Sequence, residues 1–348
     1  MAQVLSEVFF IVNCKWLRKF IKCTRIRSEA DMTRIGVIGI GKWGINHLRS
    51  LQVIPCDFVG VADVDKEKAK VANQYNIKFF ENYMQLLDEV DAVTVTVPTD
   101  KHYDVVQKCL HAGKHVLVEK PIAESAKQGK KLMDLAESQG VVLSVGYLFR
   151  FNNAIKRLKE ILPTIGNIEY ISCRYIHSTK PPRKDSGVIM NLGIHVFDIL
   201  NFVTEKIPET MGATKKNVLH PDFEDSASVL LRYKDFFAMI ELSCMHPEKA
   251  RDLWIVGEKE TVYVDYFDQK ILRYPLRVTY DAVERKEQVV DPVVMNEPLK
   301  DELHYFVDLI SQNVIDIQGN HGRENYYTTL MAELALHSAI SGKEVKVR

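Results

Sequence analysis

The chain is 348 residues long, which allows about two domains, and its 46 basic residues balance 46 acidic ones to a net charge of zero. No global excess of either sign is present to hold nucleic acid or an anionic membrane, so any recognition of anions has to be local. The six cysteines are scattered without Cys-x-x-Cys pairing, which predicts free thiols in a reducing cytoplasm, and no histidine or cysteine spacing suggests a metal.

Residues 1–32 do not share the pattern of the remaining chain. The apolar run 8–12 is far short of a bilayer span, and Lys15, Arg18, Lys19 and Lys22 follow it rather than precede it, the wrong order for a signal peptide. This N-terminal extension reads either as an appended, amphipathic or disordered segment or as a start codon assigned too early.

From Thr33 the globular pattern begins. The apolar run 35–38 predicts a buried parallel strand, and Gly39, Gly41 and Gly44 follow where a strand must turn into a helix. Gly39 permits the tight turn, Gly41 leaves no side chain in the way of a pyrophosphate, and Gly44 lets the new helix pack on its strand. A second strand, 58–62, ends in Asp63, whose carboxylate suits the ribose hydroxyls of an adenosine and repels a 2′-phosphate. These residues predict NAD as the cofactor.

Helices and strands then alternate: helix 65–75, strand 77–80, helix 83–89, strand 92–97, helix 102–112, strand 115–118, helix 124–139 and strand 141–145. This pattern predicts right-handed crossovers, hence an α/β fold with a doubly wound parallel sheet of Rossmann type over residues 33–152. Ligands of such sheets sit at the carboxyl ends of the strands. Lys42 and Trp43 in the glycine turn, Pro98, Thr99 and His102 after the fourth strand, and Glu119 and Lys120 at the end of the fifth are therefore expected around the cofactor.

Past residue 152 the texture changes. Helix 153–162 leads into long alternating segments at 168–176, 226–233, 236–242 and 254–266, with turns at 234–235 and 257–260. An apolar helix, 188–202, is set among them, and helices 299–310 and 324–340 close the chain. Residues 153–348 thus read as an α+β substrate and oligomerisation domain with an open, mainly antiparallel sheet. A large apolar sheet face is seldom left in water, so a homodimer or homotetramer is expected.

Lys120 sits between an acid and a proline at a strand end, so Glu119 can hold its ammonium and the proline can fix its backbone. A cation there stabilises the alkoxide that develops when an alcohol is oxidised. On helix 188–202, His195 is suited to take the hydroxyl proton, and Asn191, four residues earlier on the same face, to hydrogen-bond a substrate hydroxyl. Asp198 is placed to orient the imidazole. Arg150 and Asn152 follow the last parallel strand where a substrate would arrive, with a bracing role as the alternative for Arg150. Arg174, His177, Lys180, Arg183 and Lys184 crowd a loop that runs into the helix, a cluster able to hold a diphosphate.

Taken together, Gly39-x-Gly41-x-x-Gly44-x-x-His47, Pro98-x-x-x-His102, Glu119-Lys120-Pro121 and Asn191-x-x-x-His195-x-x-Asp198 resemble the glucose-fructose oxidoreductase, inositol dehydrogenase and rhizopine-catabolism (Gfo/Idh/MocA) family over about residues 33–348. The resemblance implies NAD(P)-dependent oxidation of a sugar or polyol hydroxyl, with Lys120 and His195 as the acid–base residues, and a dimer or tetramer paired through the second sheet. Many members carry Asp where this chain has Asn191, so more of the proton chemistry falls to His195. Relatives that oxidise C3 of UDP-linked N-acetylated sugars are similar here, with Asn-x-Gly-x-His. The substrate expected is therefore a nucleotide sugar, UDP-N-acetylglucosamine first, with inositol or a free sugar as alternatives. A regulatory protein that binds NAD without turnover is the alternative of another class, although it has no need of Lys120 and His195 at these positions.

Overall fold

A strand with no polar face must be covered on both sides, and the first part of the chain meets that need with a parallel sheet between helices. The computed structural model describes residues 32–178, 186–312 and 323–348. Strands β1 (Arg34–Ile38), β2 (Asp57–Ala62), β3 (Lys78–Phe80), β4 (Ala92–Val95), β5 (His115–Glu119) and β6 (Leu143–Gly146) pair in parallel in the order β3-β2-β1-β4-β5-β6. The order reverses between β1 and β4, and that switch opens a crevice at the carboxyl ends of the strands. The strands expected from sequence fall on these six, with ends shifted by no more than two residues.

The second sheet is built from β7 (Ile168–Ser178), β8 (Thr210–Lys216), β9 (Ser226–Arg232), β10 (Phe237–Ser243), β11 (Met245–Gly257), β12 (Thr261–Asp265) and β13 (Lys270–Tyr274). After the small hairpin of β14 (Leu276–Val278) and β15 (Val283–Arg285), β16 (Val289–Asp291) and β17 (Val345–Lys346) complete it, in the order β16-β13-β12-β11-β7-β10-β9-β8-β17. All pairs are antiparallel except β7 with β10, so the sheet is mixed. The expected strand 254–266 is two strands joined at Gly257, whose N–H donates to Glu260 O at 3.1 Å. β11 also begins at Met245, well before the segment anticipated.

One face of this sheet (Ile171, Cys173, Tyr175, Leu253, Ile255) packs on the helices Asn153–Ile161, Ile194–Thr204 and Arg323–Ser341. The other face shows Tyr170, Phe237, Met239 and Trp254, each 36–42% exposed, with Tyr170 stacked on Phe237 at 5.7 Å. Cys56, Cys109, Cys173 and Cys244 are free thiols. Among the described residues no helix is long and apolar enough to cross a membrane.

The helix Pro298–Ser311 departs from the expected partition. Instead of serving the second sheet, its Leu303, Phe306 and Val307 share a core with Ile35, Val37, Leu48 and Leu117 of the first. An amphipathic stripe states that a face will be buried, not against what. This docking also buries Glu302, whose two carboxylate oxygens have no hydrogen-bond partner among the described residues. Burial, reinforced by the nearby Glu119 charge, pushes its carboxyl well above the usual range.

A raised carboxyl pKa means that the folded chain keeps a proton the unfolded chain has already lost. Stability from this group is therefore full below about pH 4 and falls, by about 1.4 kcal/mol per pH unit, as pH rises toward the folded value. Glu302→Gln removes that slope. Its advantage in thermal midpoint over the unmodified protein is expected to widen between pH 5 and pH 8, and a constant difference would show that Glu302 titrates normally.

Candidate active site

β1 ends at Ile38 and the chain turns at Gly39 with φ +91°, where a Cβ would stand 3.0 Å from Val97. Glycine is required there by both the backbone and the space. A Cβ on Gly44 would lie 2.0 Å from the Gly39 carbonyl oxygen, so only glycine lets the helix Gly44–Leu51 start against the strand end. Gly41 is different, since a Cβ there meets nothing within 4 Å and the approach to the turn is open. Thr96 fastens the turn by donating its hydroxyl to the Gly39 carbonyl.

At the end of β2, Asp63 accepts from Ile40 N at 2.8 Å through Oδ2 and from Asp65 N at 2.9 Å through Oδ1. The carboxylate is thus fixed at the rim of the same turn. A tight glycine turn, an open approach at Gly41 and a fixed acid beside them fit a dinucleotide. Lys42 and Trp43 are exposed at that opening, and Pro98 and Thr99 begin the helix Thr99–His111 at the end of β4.

β5 delivers Glu119 and Lys120, joined to Pro121 by a cis peptide bond. Both are buried, yet they point to different partners. Glu119 Oε1 accepts from Trp43 Nε1 at 2.5 Å and lies 3.0 Å from His47 Nε2, tying β5 to the helix after the glycine turn. Burial pushes the Glu119 carboxyl up, but His47, Lys120 and Trp43 outweigh it and hold it below the usual range. The Lys120 ammonium donates to Asn191 O at 2.8 Å and to Asn191 Oδ1 at 3.2 Å. The expected clasp of Glu119 on the ammonium is therefore replaced by Asn191, because the carboxylate is drawn to the indole and imidazole instead. His102 is likewise buried behind the site, its ring nitrogens 2.7 Å from Pro121 O and 2.9 Å from Val97 O, where it joins two strand ends.

Asn191 belongs to a π-helical turn, Ile189–Gly193, that opens the helix Ile194–Thr204. Such turns recur at functional sites. Glu224, unnoticed in the sequence, anchors its start: Oε1 accepts from Ile189 N at 2.9 Å, and a Cβ on Gly187 would collide with the carboxylate at 2.1 Å. The negative charge also suits the positive end of a helix. One turn on, the buried His195 ring meets Phe149 edge-on, centroids 5.1 Å apart at 80°, and Tyr175 at 6.1 Å.

Several side chains around this centre are committed to an internal partner. Asp198 does not serve His195; Arg150 clasps it, Nε to Oδ2 at 2.9 Å and Nη2 to Oδ1 at 2.5 Å, and Thr328 adds a longer contact. Arg150 also reaches Asn325 Oδ1 at 3.2 Å, so it braces three elements rather than facing a substrate. Asn152 caps the helix Asn153–Ile161 through Ala154 N and Ile155 N and donates to Tyr266 O at 2.9 Å, so it too is structural. Arg174 lies on the outer face of its sheet, paired in register with Asp252 at 2.6 Å, and cannot join a diphosphate site on the inner face. Lys180, Arg183 and Lys184 lie outside the described residues, as do residues 1–31.

Known proteins share this sequence pattern and this fold. Residues 33–147 match the sequence model of an oxidoreductase family with an NAD-binding Rossmann fold, and residues 155–263 match that of the GFO/IDH/MocA C-terminal domain. The UDP-N-acetylglucosamine 3-dehydrogenase of Acidithiobacillus ferrooxidans is 28% identical over 242 residues, 69% of this chain and 76% of that protein. The glucose-6-phosphate 3-dehydrogenase of Bacillus subtilis is 29% identical over 257 residues, 66% of this chain and 73% of that one. A solved structure of the A. ferrooxidans enzyme superposes with a TM-score of 0.78 at 26% identity, over 89% of this chain and 97% of that one. The two family models fall in order along one chain, the first on the parallel sheet with the glycine turn and Asp63, the second on the mixed sheet with His195. The chain belongs to the Gfo/Idh/MocA oxidoreductase family, and its parallel sheet is that family's NAD-binding Rossmann fold.

Proposed function

We propose that the protein is a sugar dehydrogenase that oxidises a ring hydroxyl to a ketone, the 3-hydroxyl of UDP-N-acetylglucosamine or a related nucleotide sugar in particular. The observation that carries the reading is the junction of Lys120 with Asn191, one turn before His195, at the carboxyl end of β5. It joins a cation at the end of β5 to an amide on the turn that leads into the helix of His195. Two relatives whose names specify a 3-dehydrogenase of a phosphorylated sugar support the choice of position and class.

NAD, when bound, supplies the hydride acceptor; Lys42, Asp63, Pro98 and Thr99 are the residues placed to hold it. His195 takes the hydroxyl proton as the carbonyl forms, its ring held in orientation by Phe149 and Tyr175. The Lys120 ammonium stabilises the negative charge that builds on the same oxygen. Asn191 Oδ1 holds that ammonium while its Nδ2 donates to the substrate hydroxyl. NADH absorbance with UDP-N-acetylglucosamine, N-acetylglucosamine, glucose and myo-inositol tests the substrate. The nucleotide sugar is expected to react fastest, and faster oxidation of inositol or glucose would replace that choice.

Asp63 sets the cofactor preference in this reading, since a carboxylate held by two backbone amides cannot turn away from a 2′-phosphate. NAD is expected to bind far more tightly than NADP, and Asp63→Ser to narrow the gap. Equal affinities in the unmodified protein, measured by titration, would defeat the assignment. The exposed aromatic face around Tyr170, Phe237 and Trp254 is proposed to pair two copies of the chain. Light scattering at micromolar concentration is expected to report a dimer or tetramer, and Trp254→Glu to weaken it; a monomer would count against this face.

A further inference from the structure

Beside His195, on the inner face of the mixed sheet, lies a group of basic side chains that the mechanism above does not use. Arg251 of β11 is in register with Tyr175 of β7, so their side chains emerge together on the face that carries His195. The Arg251 guanidinium sits 4.8 Å over the Tyr175 ring and 5.1 Å over the Phe267 ring. Lys249 Nζ lies 3.4 Å over the second of these rings, Phe267. His177 closes the group, its ring 6.1 Å from that of Tyr175. Burial and then the positive charges of Arg251 and Lys249 lower its pKa.

The guanidinium carbon lies over both aromatic rings. Among the described residues nothing accepts from its buried Nε. An N–H that loses water without gaining an acceptor is costly, and the exposed Lys249 keeps a further positive charge close by. An edge of parallel N–H groups beside further positive charge matches the paired oxygens of a phosphoryl group.

We propose that Arg251, with Lys249 and His177, forms the subsite for a phosphoryl group carried by the sugar that is oxidised at His195. This rests on the dehydrogenase reading. The shared chemistry is a phosphate ester, whether the monoester of a sugar phosphate or the diphosphate of a nucleotide sugar. It also assigns to β11 the anion-binding role that sequence alone placed on the loop after β7.

The full chain saturated with NAD, so that the dinucleotide site is filled, is titrated with inorganic pyrophosphate and with inorganic phosphate by calorimetry. Binding of at least one anion is expected, weakened tenfold or more by Arg251→Met and less by Lys249→Met, with thermal midpoints recorded for each variant. Arg251→Lys keeps the charge but not the fork and is expected to fall between; it also serves if Arg251→Met does not fold. In parallel, the ratio of kcat/KM for UDP-N-acetylglucosamine over N-acetylglucosamine, and for glucose 6-phosphate over glucose, is compared across variants. Arg251→Met is expected to lower one of these ratios at least 30-fold, and the ratio that moves identifies the ester. No anion binding to the unmodified protein, or binding and ratios indifferent to Arg251, overturns the subsite. Pyrophosphate or phosphate binding that depends on Arg251 without turnover of any sugar would instead uphold the subsite and sink the substrate reading.

Discussion

Replacing Lys120 or His195 with alanine is expected to lower turnover by about two to four orders of magnitude, the scale of a lost acid–base or electrostatic contribution. The two substitutions remove different things. Without His195 the hydroxyl proton has no acceptor held in place by Phe149 and Tyr175. Without Lys120 the oxygen keeps its route for the proton but loses the adjacent cation, and Asn191 loses the donor that fixes its side chain. Asn191→Ala should therefore act partly through Lys120, and its effect combined with Lys120→Ala should fall short of the sum of the two. Stopped-flow NADH formation with the best substrate of the panel measures these rates. Fluorescence titration of NADH checks that the cofactor still binds His195→Ala. Either alanine variant that keeps near-full turnover removes its residue from the mechanism.

The second large effect is expected on stability. Arg150 and Asp198 form a bidentate ion pair with side chains only 4% and 2% exposed, closed further by Asn325 and Thr328. The pair joins the end of the parallel sheet, the helix of His195 and the helix Arg323–Ser341, so it ties the two sheets together where the site lies. Arg150→Met leaves a buried carboxylate without its counter-ion and is expected to cost about 3–5 kcal/mol. The double change Arg150→Met with Asp198→Asn removes the orphaned charge and is expected to recover much of that loss. Denaturation curves of the four proteins form the test cycle. A single variant within about 1 kcal/mol of the unmodified protein would show that the brace is dispensable. A smaller secondary loss of kcat is expected from the same variants, since the helix that presents His195 is no longer held from below.

Some of this was legible from the chain alone. The glycine turn follows from sterics over a few residues: Gly39 needs positive φ and Gly44 has no room for a Cβ, and both requirements are written in the local sequence. The same holds for the six buried strands, whose apolar runs between short helices admit few arrangements. Lys120 and His195 stood out because each polar residue interrupts an apolar pattern at a strand end or on a helix face.

What the sequence left open was the choice of partner. Glu119 had a lysine next to it and yet bonds Trp43 and His47, residues 76 and 72 positions away. Asp198 had a histidine one turn earlier and yet holds Arg150, 48 positions away. The helix Pro298–Ser311 announced an apolar face, but only the packed molecule shows that Ile35 and Leu117 cover it. Arg251 gave no signal at all, because its meaning comes from a register that sets it over Tyr175. Hydrophobic periodicity and glycine sterics act over a turn of helix or a strand pair, so a sequence states them directly. A charged side chain settles on the partner that best replaces lost water, and which partners are within reach is decided only when distant segments pack.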